Sequence, residues 1–118
     1  MGVSMIRIPV EKKHIDAVLD SLRHEIQHRI EKHGDGAFAS PHECLGVLRE
    51  EYREYEDEVI ANDLGKQADE LIDTACVAIW GVASIDAEQD HEDLIHTAAQ
   101  AKHDPEPIVV DPANEVPF

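Results

Sequence analysis

Hydrophobic residues recur at helical spacing along most of the chain, and this pattern predicts an all-helical protein. The first predicted helix covers residues 10–33. Its apolar stripe comprises Ile15, Val18, Leu19, Leu22, Ile26 and Ile30. Gly34 follows at the position where helices commonly end. A short, partly apolar arm at 1–9 precedes this helix, and both a strand and an extended lead-in fit its pattern.

Capping residues mark the start of a second predicted helix. Ser40 fits the N-cap, Pro41 the first helical position, and Glu43 the place of a capping-box acid. We expect this helix to end near Ala61, because Asn-Asp-Leu-Gly at 62–65 is typical of a break. Its predicted apolar stripe comprises Cys44, Val47, Leu48, Tyr52, Tyr55 and Val59.

The third predicted helix, over 66–84, is the most apolar part of the chain. The segment TACVAIWGVASI at 74–85 is apolar or small around its whole circumference, so this helix is expected to be central and buried. Asp86 and Gln89 suggest a further cap that opens a fourth, weaker helix ending near Lys102. The sequence therefore predicts one domain over 1–102, an antiparallel bundle of about four helices that associates with further copies of itself.

The tail at 103–118 is acidic and holds four of the six prolines, so an extended or disordered segment is expected there. Over the whole chain, 26 acidic residues face 10 basic ones, giving a formal charge of -16. This charge disfavours binding to nucleic acid or to an anionic membrane, although divalent cations can still link carboxylates to a polyphosphate.

The cysteines and the lack of an apolar run indicate the cellular setting. Cys44 and Cys76 are far apart and form no CxxC motif, so we expect free thiols in a reducing compartment. The chain shows neither a long apolar run nor a signal-peptide pattern. A cytoplasmic protein is therefore expected.

Two pairs of carboxylates carry the functional argument. Glu51 and Glu54 are three residues apart on the second helix, and Glu70 and Asp73 are three apart on the third. Each pair lies on one helical face, about one turn apart. Two such pairs on neighbouring helices would surround one small volume with four carboxylates, which suits a hard divalent cation because such cations take several oxygen ligands together with some water.

The surroundings of Asp73 strengthen this hypothesis. No charged residue follows it until Asp86, and it shares a face with Val77 and Trp80. Burying an ionised carboxylate costs several kcal/mol unless it is paired or metal-bound. Because this helix has no basic residue beyond Lys66, a metal is expected as the partner. The alternative is that the acids are ordinary surface residues of acid-rich helices, which is the usual interpretation of a lone ExxE motif.

The combination of EEYRE at 50–54 and ELID at 70–73 resembles the all-alpha nucleotide pyrophosphatases. That superfamily includes MazG, the dimeric dUTPase-like enzymes and the phosphoribosyl-ATP pyrophosphatases. The approach to the motif, a first helix, a glycine-containing loop and FASPHECLGVLREE at 38–51, resembles MazG-like proteins as well. The likeness spans about residues 14–85.

The resemblance implies a fold, a metal and a reaction. Glu51, Glu54, Glu70 and Asp73 would hold Mg²⁺, with Mn²⁺ as a substitute, in a homodimer or homotetramer. The reaction would cleave a nucleoside triphosphate to a monophosphate and pyrophosphate, with Glu51 or Glu54 accepting a proton from the attacking water. The base-recognition residues of the dimeric dUTPases have no clear match here, so uracil specificity is not implied.

Four further residues are candidates for substrate binding. Lys66 and Arg53 are the basic residues nearest to the motifs in sequence and could contact a phosphate, although pairing with a surface glutamate is the simpler expectation. Phe38 and Trp80 could flank a base, although a core role is the better interpretation of Trp80.

Two other hypotheses compete with the pyrophosphatase. Residues 24–28 read HEIQH, a literal HExxH, which in zinc peptidases provides two histidine ligands and a general base. However, His24 and His28 lie opposite the apolar stripe, Arg29 adds a charge, and no third ligand follows at a recognised spacing. The remaining hypothesis is a catalytically silent MazG-like module that binds a partner protein.

Overall fold

The computed structural model describes residues 6–101 and consists of helices over most of that range. The elements are α1 (Lys12–His33), α2 (Pro41–Ile60) and α3 (Leu64–Ala101), and residues 6–101 contain no strand. The expectation of an all-α protein is thus confirmed. Residues 6–9 of the arm are non-helical, and so are residues 10 and 11, with which the predicted first helix begins. Residues 1–5 and the predicted tail at 103–118 lie outside the described residues.

The helix boundaries follow the capping residues. The Glu43 backbone N–H donates to the Ser40 side chain at 3.2 Å, and Pro41 is the first residue of α2. At the end of α1, Gly34 has a φ of +86°, a conformation that favours glycine. The third helix begins where the Asp63 carboxylate accepts from the Lys66 backbone N–H at 3.0 Å.

The predicted fourth helix is wrong, because α3 continues without a break through Asp86 and Gln89 to Ala101. The segment between Ser84 and Asp90 contains no glycine or proline, so nothing in it interrupts the backbone hydrogen bonds of the helix. A cap signal marks a helix start only where the preceding chain leaves the helical conformation, and here it does not. The described residues therefore form three helices.

Helix α3 is central, and both other helices pack against it. Helix α2 runs antiparallel to α3, with the Gln67 side chain donating to the Glu58 carbonyl at one end. At the other end the helices approach so closely that a Cβ added at Gly81 would lie 2.8 Å from Cys44 Sγ. Both cysteines are free thiols. Helix α1 runs in the same direction as α3.

The core is small. Within residues 6–101, the only buried hydrophobic residues are Leu22, Ile26, Cys76 and Val77. Partly buried residues pack against Leu22, Ile26 and Cys76; they are Ile30, Ile72, Ala75, Ile79 and Trp80. The first half of the predicted α1 stripe is exposed: Ile15, Val18 and Leu19 each keep about half of their surface. Exposed apolar residues also follow α3. They are Leu71, Val82, Ile85, Leu94 and Ile95.

The inward face of α2 differs from the predicted stripe at two positions. Tyr52 is 63% exposed and Val59 46% exposed. Glu51 and Glu58 are partly buried instead, on the same side as Val47 and Tyr55. This rotation turns Glu51 toward α3. None of the helices within residues 6–101 has the length and hydrophobicity needed to span a membrane.

Candidate metal-binding site

Helices α2 and α3 bring three of the four predicted carboxylates together. One oxygen each from Glu51, Glu70 and Asp73 lies within 4.8 Å of the other two, and all three residues are partly buried. We call Glu51, Glu70 and Asp73 the carboxylate cluster. The packing of α2 on α3 places the EExxE and ExxD motifs at the same level of the bundle.

Two oxygens of the cluster have unmet bonding capacity. Glu51 Oε2 and Glu70 Oε2 are buried and accept no hydrogen bond from residues 6–101. Buried polar atoms are nearly always hydrogen-bonded, because an unmet one costs about 1–3 kcal/mol, and more if charged. Acidic groups often cluster without an ion, but buried oxygens that lack a donor fit a hard divalent cation.

Electrostatics in the cluster favour the binding of a positive charge. Burial, followed by repulsion from Glu54, Asp73 and Glu70, raises the pKa of Glu51 to about 7. Burial and the neighbouring Glu54 carboxylate raise the pKa of Glu70. The pKa of Asp73 is also raised by burial, although the charge of Arg29 opposes this shift. The cluster thus takes up protons, or a cation in their place, more readily than isolated carboxylates do.

Glu54 differs from the other three predicted ligands. Its side chain is exposed, and it is not one of the three residues whose oxygens converge. It is nevertheless close enough to raise the pKa values of Glu51, Glu70 and Asp73. Glu54 therefore lies at the edge of the cluster, on the solvent side.

Asp73 pairs with an arginine of α1, a partner that the sequence did not predict. Arg29 Nη2 donates to Asp73 Oδ1 at 2.6 Å, and Arg29 Nε donates to Glu25 Oε1 at 3.2 Å. No basic residue follows Lys66 on α3, and Arg29 reaches Asp73 from α1 instead. A signal was available: Arg29 follows Leu22 by seven positions, and so shares a helical face with it.

A pocket of about 240 Å³ lies beside the cluster. Its lining includes Ile26, Arg29, Phe38, Val47, Val77 and Trp80. The loop between α1 and α2 is fastened over α3 by two bonds: Trp80 Nε1 donates to the Gly36 carbonyl, and the Phe38 N–H donates to Ser84 Oγ, both at 3.0 Å. The pocket therefore brings together Phe38 and Trp80, the two aromatic residues predicted to flank a base. Arg29, which pairs with Asp73 of the cluster, also lines it.

The two predicted phosphate-binding residues lie apart from this pocket. Lys66 and Arg53 are exposed and do not line the pocket. Their side chains form no ion pair with any residue between 6 and 101, so the expected pairing with a surface glutamate is not seen in this part of the chain.

The HExxH motif gathers no metal site in the described region. His24 and His28 are exposed, and His24 Nδ1 bonds the Asp20 carbonyl at 2.9 Å. Within residues 6–101, no group of three ligand atoms includes either histidine. The glutamate of the motif, Glu25, binds Arg29 instead.

No protein-family model, no curated protein and no solved structure matches this chain. The site combines a carboxylate cluster across α2 and α3, an arginine from α1 that pairs with the cluster, and a largely apolar pocket that this arginine also lines. Such a site can bind a divalent cation next to an organic anion with an apolar part.

Proposed function

We propose that the protein is a Mg²⁺-dependent nucleoside triphosphate pyrophosphohydrolase of the MazG-like kind, which forms a nucleoside monophosphate and pyrophosphate. One observation carries the proposal: the two paired-acid motifs converge on one cluster, in which Glu51 and Glu70 each keep a buried oxygen without a hydrogen bond from residues 6–101. A divalent cation would satisfy both oxygens and offset the negative charge of the cluster, in which burial and then mutual repulsion raise the pKa values of Glu51 and Glu70.

The carboxylates divide into two roles in this proposal. Glu51, Glu70 and Asp73 hold Mg²⁺, or Mn²⁺ in its place. The bound metal would neutralise phosphate charge and acidify a water for attack on the α-phosphorus. Glu54 is the better placed of the two candidate proton acceptors, because its exposed carboxylate lies beside the cluster without belonging to it. Glu51 is the other candidate.

The pocket would hold the nucleobase. Its walls combine the aromatic side chains of Phe38 and Trp80 with aliphatic ones such as Ile26 and Val47. Flat aromatic rings bind well in such surroundings, since they bury apolar surface and stack on other rings. The same pocket borders the carboxylate cluster through Arg29, so one ligand could reach both.

The test is pyrophosphate release from a panel of ribo- and deoxyribonucleoside triphosphates, with Mg²⁺ and with chelator. Release should need Mg²⁺ or Mn²⁺ and should be lost in Asp73→Asn. The matched control is Asp93→Asn, which changes an exposed acid of the same helix and should keep wild-type activity. Wild-type turnover in Asp73→Asn would overturn the site assignment, and no release from any substrate would overturn the activity.

The proposal includes a homodimer or homotetramer. Leu71, Val82 and Ile85 keep 49%, 62% and 55% of their surface on the central helix, which is unusual for large aliphatic residues in so apolar a segment. A second copy would cover this face. Light scattering after size-exclusion chromatography should give at least twice the monomer mass, and Val82→Asp should lower it. A monomeric wild type would contradict this part of the proposal.

A second candidate function is a catalytically silent interaction module, favoured by the same exposed apolar face. It predicts Mg²⁺ binding by the cluster, no turnover of any nucleotide, and capture of a partner protein that is lost in Val82→Asp. Robust turnover by the wild type would exclude it.

A further inference from the structure

We propose that Arg29 binds the phosphate chain of the substrate, as a preorganised residue between the carboxylate cluster and the pocket. This inference rests on the proposed function and adds to it the residue that receives the anionic part of the substrate. No basic residue of α2 or α3 lines the pocket, so the cation has to come from α1.

Arg29 is held at two points. Its Nε donates to Glu25 one turn earlier on α1, and its Nη2 donates to Asp73 on α3. These two bonds fix the plane of the guanidinium, because the group is rigid and its N–H donors point in set directions. The side chain keeps 34% of its surface, so it is fixed but still reachable by a ligand.

The two bonds leave donors available. A guanidinium has five N–H groups, and within residues 6–101 only those on Nε and Nη2 are used. Nη1 donates to no residue in that range. Arg29 can therefore bind a phosphate oxygen without leaving Asp73, and guanidinium donors suit phosphate oxygens in both charge and geometry.

The position of Arg29 matches the path of a nucleotide. A nucleotide with its base in the pocket and its phosphates at the cluster would pass Arg29, which lines the pocket and pairs with Asp73 of the cluster. The carboxylates around Arg29 also make a cation at this position favourable for binding a polyphosphate. Glu25, Glu51, Glu70 and Asp73 would repel a polyphosphate, and a cation at their edge offsets part of this repulsion.

The experiment separates phosphate binding from support of the metal ligand. The first probe is Mg²⁺ alone, and the second is α,β-imido-dATP with saturating Mg²⁺, whose α–β bridge resists cleavage; both are measured by titration calorimetry. Arg29→Gln should weaken binding of the nucleotide analogue at least tenfold. It should leave binding of Mg²⁺ alone unchanged or strengthen it, because a competing cation has been removed. Arg23→Gln changes an exposed arginine of α1 that does not line the pocket; it is the matched control and should change neither binding constant by more than twofold.

Two further variants keep the test informative if Arg29→Gln folds poorly. Arg29→Lys retains the positive charge but lacks the planar guanidinium with its several N–H donors. It should therefore weaken binding of the analogue about threefold to tenfold. Glu25→Gln weakens one anchor and should have a smaller effect in the same direction. Thermal unfolding followed by circular dichroism checks that each variant is folded.

The outcomes distinguish failure of the inference about Arg29 from failure of the proposed function. Equal loss of Mg²⁺ binding and analogue binding in Arg29→Gln would make Arg29 a support for Asp73 and overturn the inference. Wild-type analogue binding in Arg29→Gln, with wild-type protein that turns over nucleotide, would also overturn it and leave the proposed function intact. A wild-type protein that binds neither Mg²⁺ nor the analogue would overturn both.

Discussion

The two halves of α3 differ sharply in their surroundings. The first half, up to Ser84, packs against α1 and α2 and contains every buried residue of the helix, whereas residues 85–100 are all exposed. Both halves carry acids. In the first half, Glu70 and Asp73 are partly buried and have raised pKa values, whereas Asp69 is exposed. The surroundings of a carboxylate, rather than its presence in an acid-rich helix, therefore distinguish the candidate site.

The largest expected effect comes from neutralising an acid in the packed half. Glu70→Gln should lower nucleotide turnover roughly 100-fold or more, because a metal ligand is lost. Without Mg²⁺, the same change should preserve or raise the melting temperature, since a buried charge is removed. Glu88→Gln in the exposed half should change neither quantity. Equal activity of the two variants would contradict the distinction between the halves.

The next effect concerns packing. Val77 is 4% exposed and Val82 is 62% exposed, although both lie on the same helix. Val77→Ala should lower the free energy of unfolding by about 2 kcal/mol, measured with urea at low protein concentration. Val82→Ala should cost less than about 0.5 kcal/mol under those conditions. An equal loss of unfolding free energy in the two monomeric variants would contradict the different burial of Val77 and Val82.

A similar effect is expected where α2 and α3 approach closely. Gly81→Ala would place a Cβ 2.8 Å from Cys44 Sγ and should cost about 1–2 kcal/mol. Removing the sulfur in the double variant Cys44→Ala, Gly81→Ala should return part of this loss. Gly46→Ala on α2 meets nothing within 4 Å and should stabilise the protein by up to about 1 kcal/mol. Thermal unfolding of the four proteins gives the ranking, and a neutral Gly81→Ala would contradict the close approach.

The smallest expected effect is on pH dependence. The pKa of Glu51 is about 7 in the folded protein, against an ordinary value of 4.5, so the folded state holds this proton more tightly. The contribution of Glu51 to stability should therefore increase as the pH falls from 8 toward 5, by roughly 1 kcal/mol after allowance for solvent screening. Mg²⁺ should suppress the dependence, because it replaces the proton, and Glu51→Gln should reduce it. Stability that falls over this range in wild type but not in Glu51→Gln would contradict the assigned shift.

The sequence could predict those parts of the fold that depend on local chemistry. The start of α2 at Pro41 and the end of α1 at His33 follow from capping residues next to them, so both expectations are confirmed. The length of α3 could not be read in the same way. The polar residues near Asp86 can serve either as a cap or as the exposed face of a continuing helix, and only the backbone decides between them.

The candidate site was predictable in part for the same reason. Residue spacing within one helix placed Glu70 and Asp73 on one face, and matching motifs suggested Glu51 as their neighbour. The ion pair between Arg29 and Asp73 joins residues that are 44 positions apart. Such a contact depends on how α1 crosses α3, which the apolar pattern of each helix does not specify. The substrate roles predicted for Lys66 and Arg53 relied on nearness in sequence, and neither residue lines the pocket.

The indole of Trp80 gives this protein a built-in optical probe. It is the only tryptophan in the chain, and it lines the pocket next to Phe38. Its N–H donates to the Gly36 carbonyl, so its emission would respond both to a ligand in the pocket and to movement of the glycine loop. Excitation near 295 nm would therefore report on one place in the molecule. Titrating nucleotides against unlabelled protein would show in minutes whether that place is occupied.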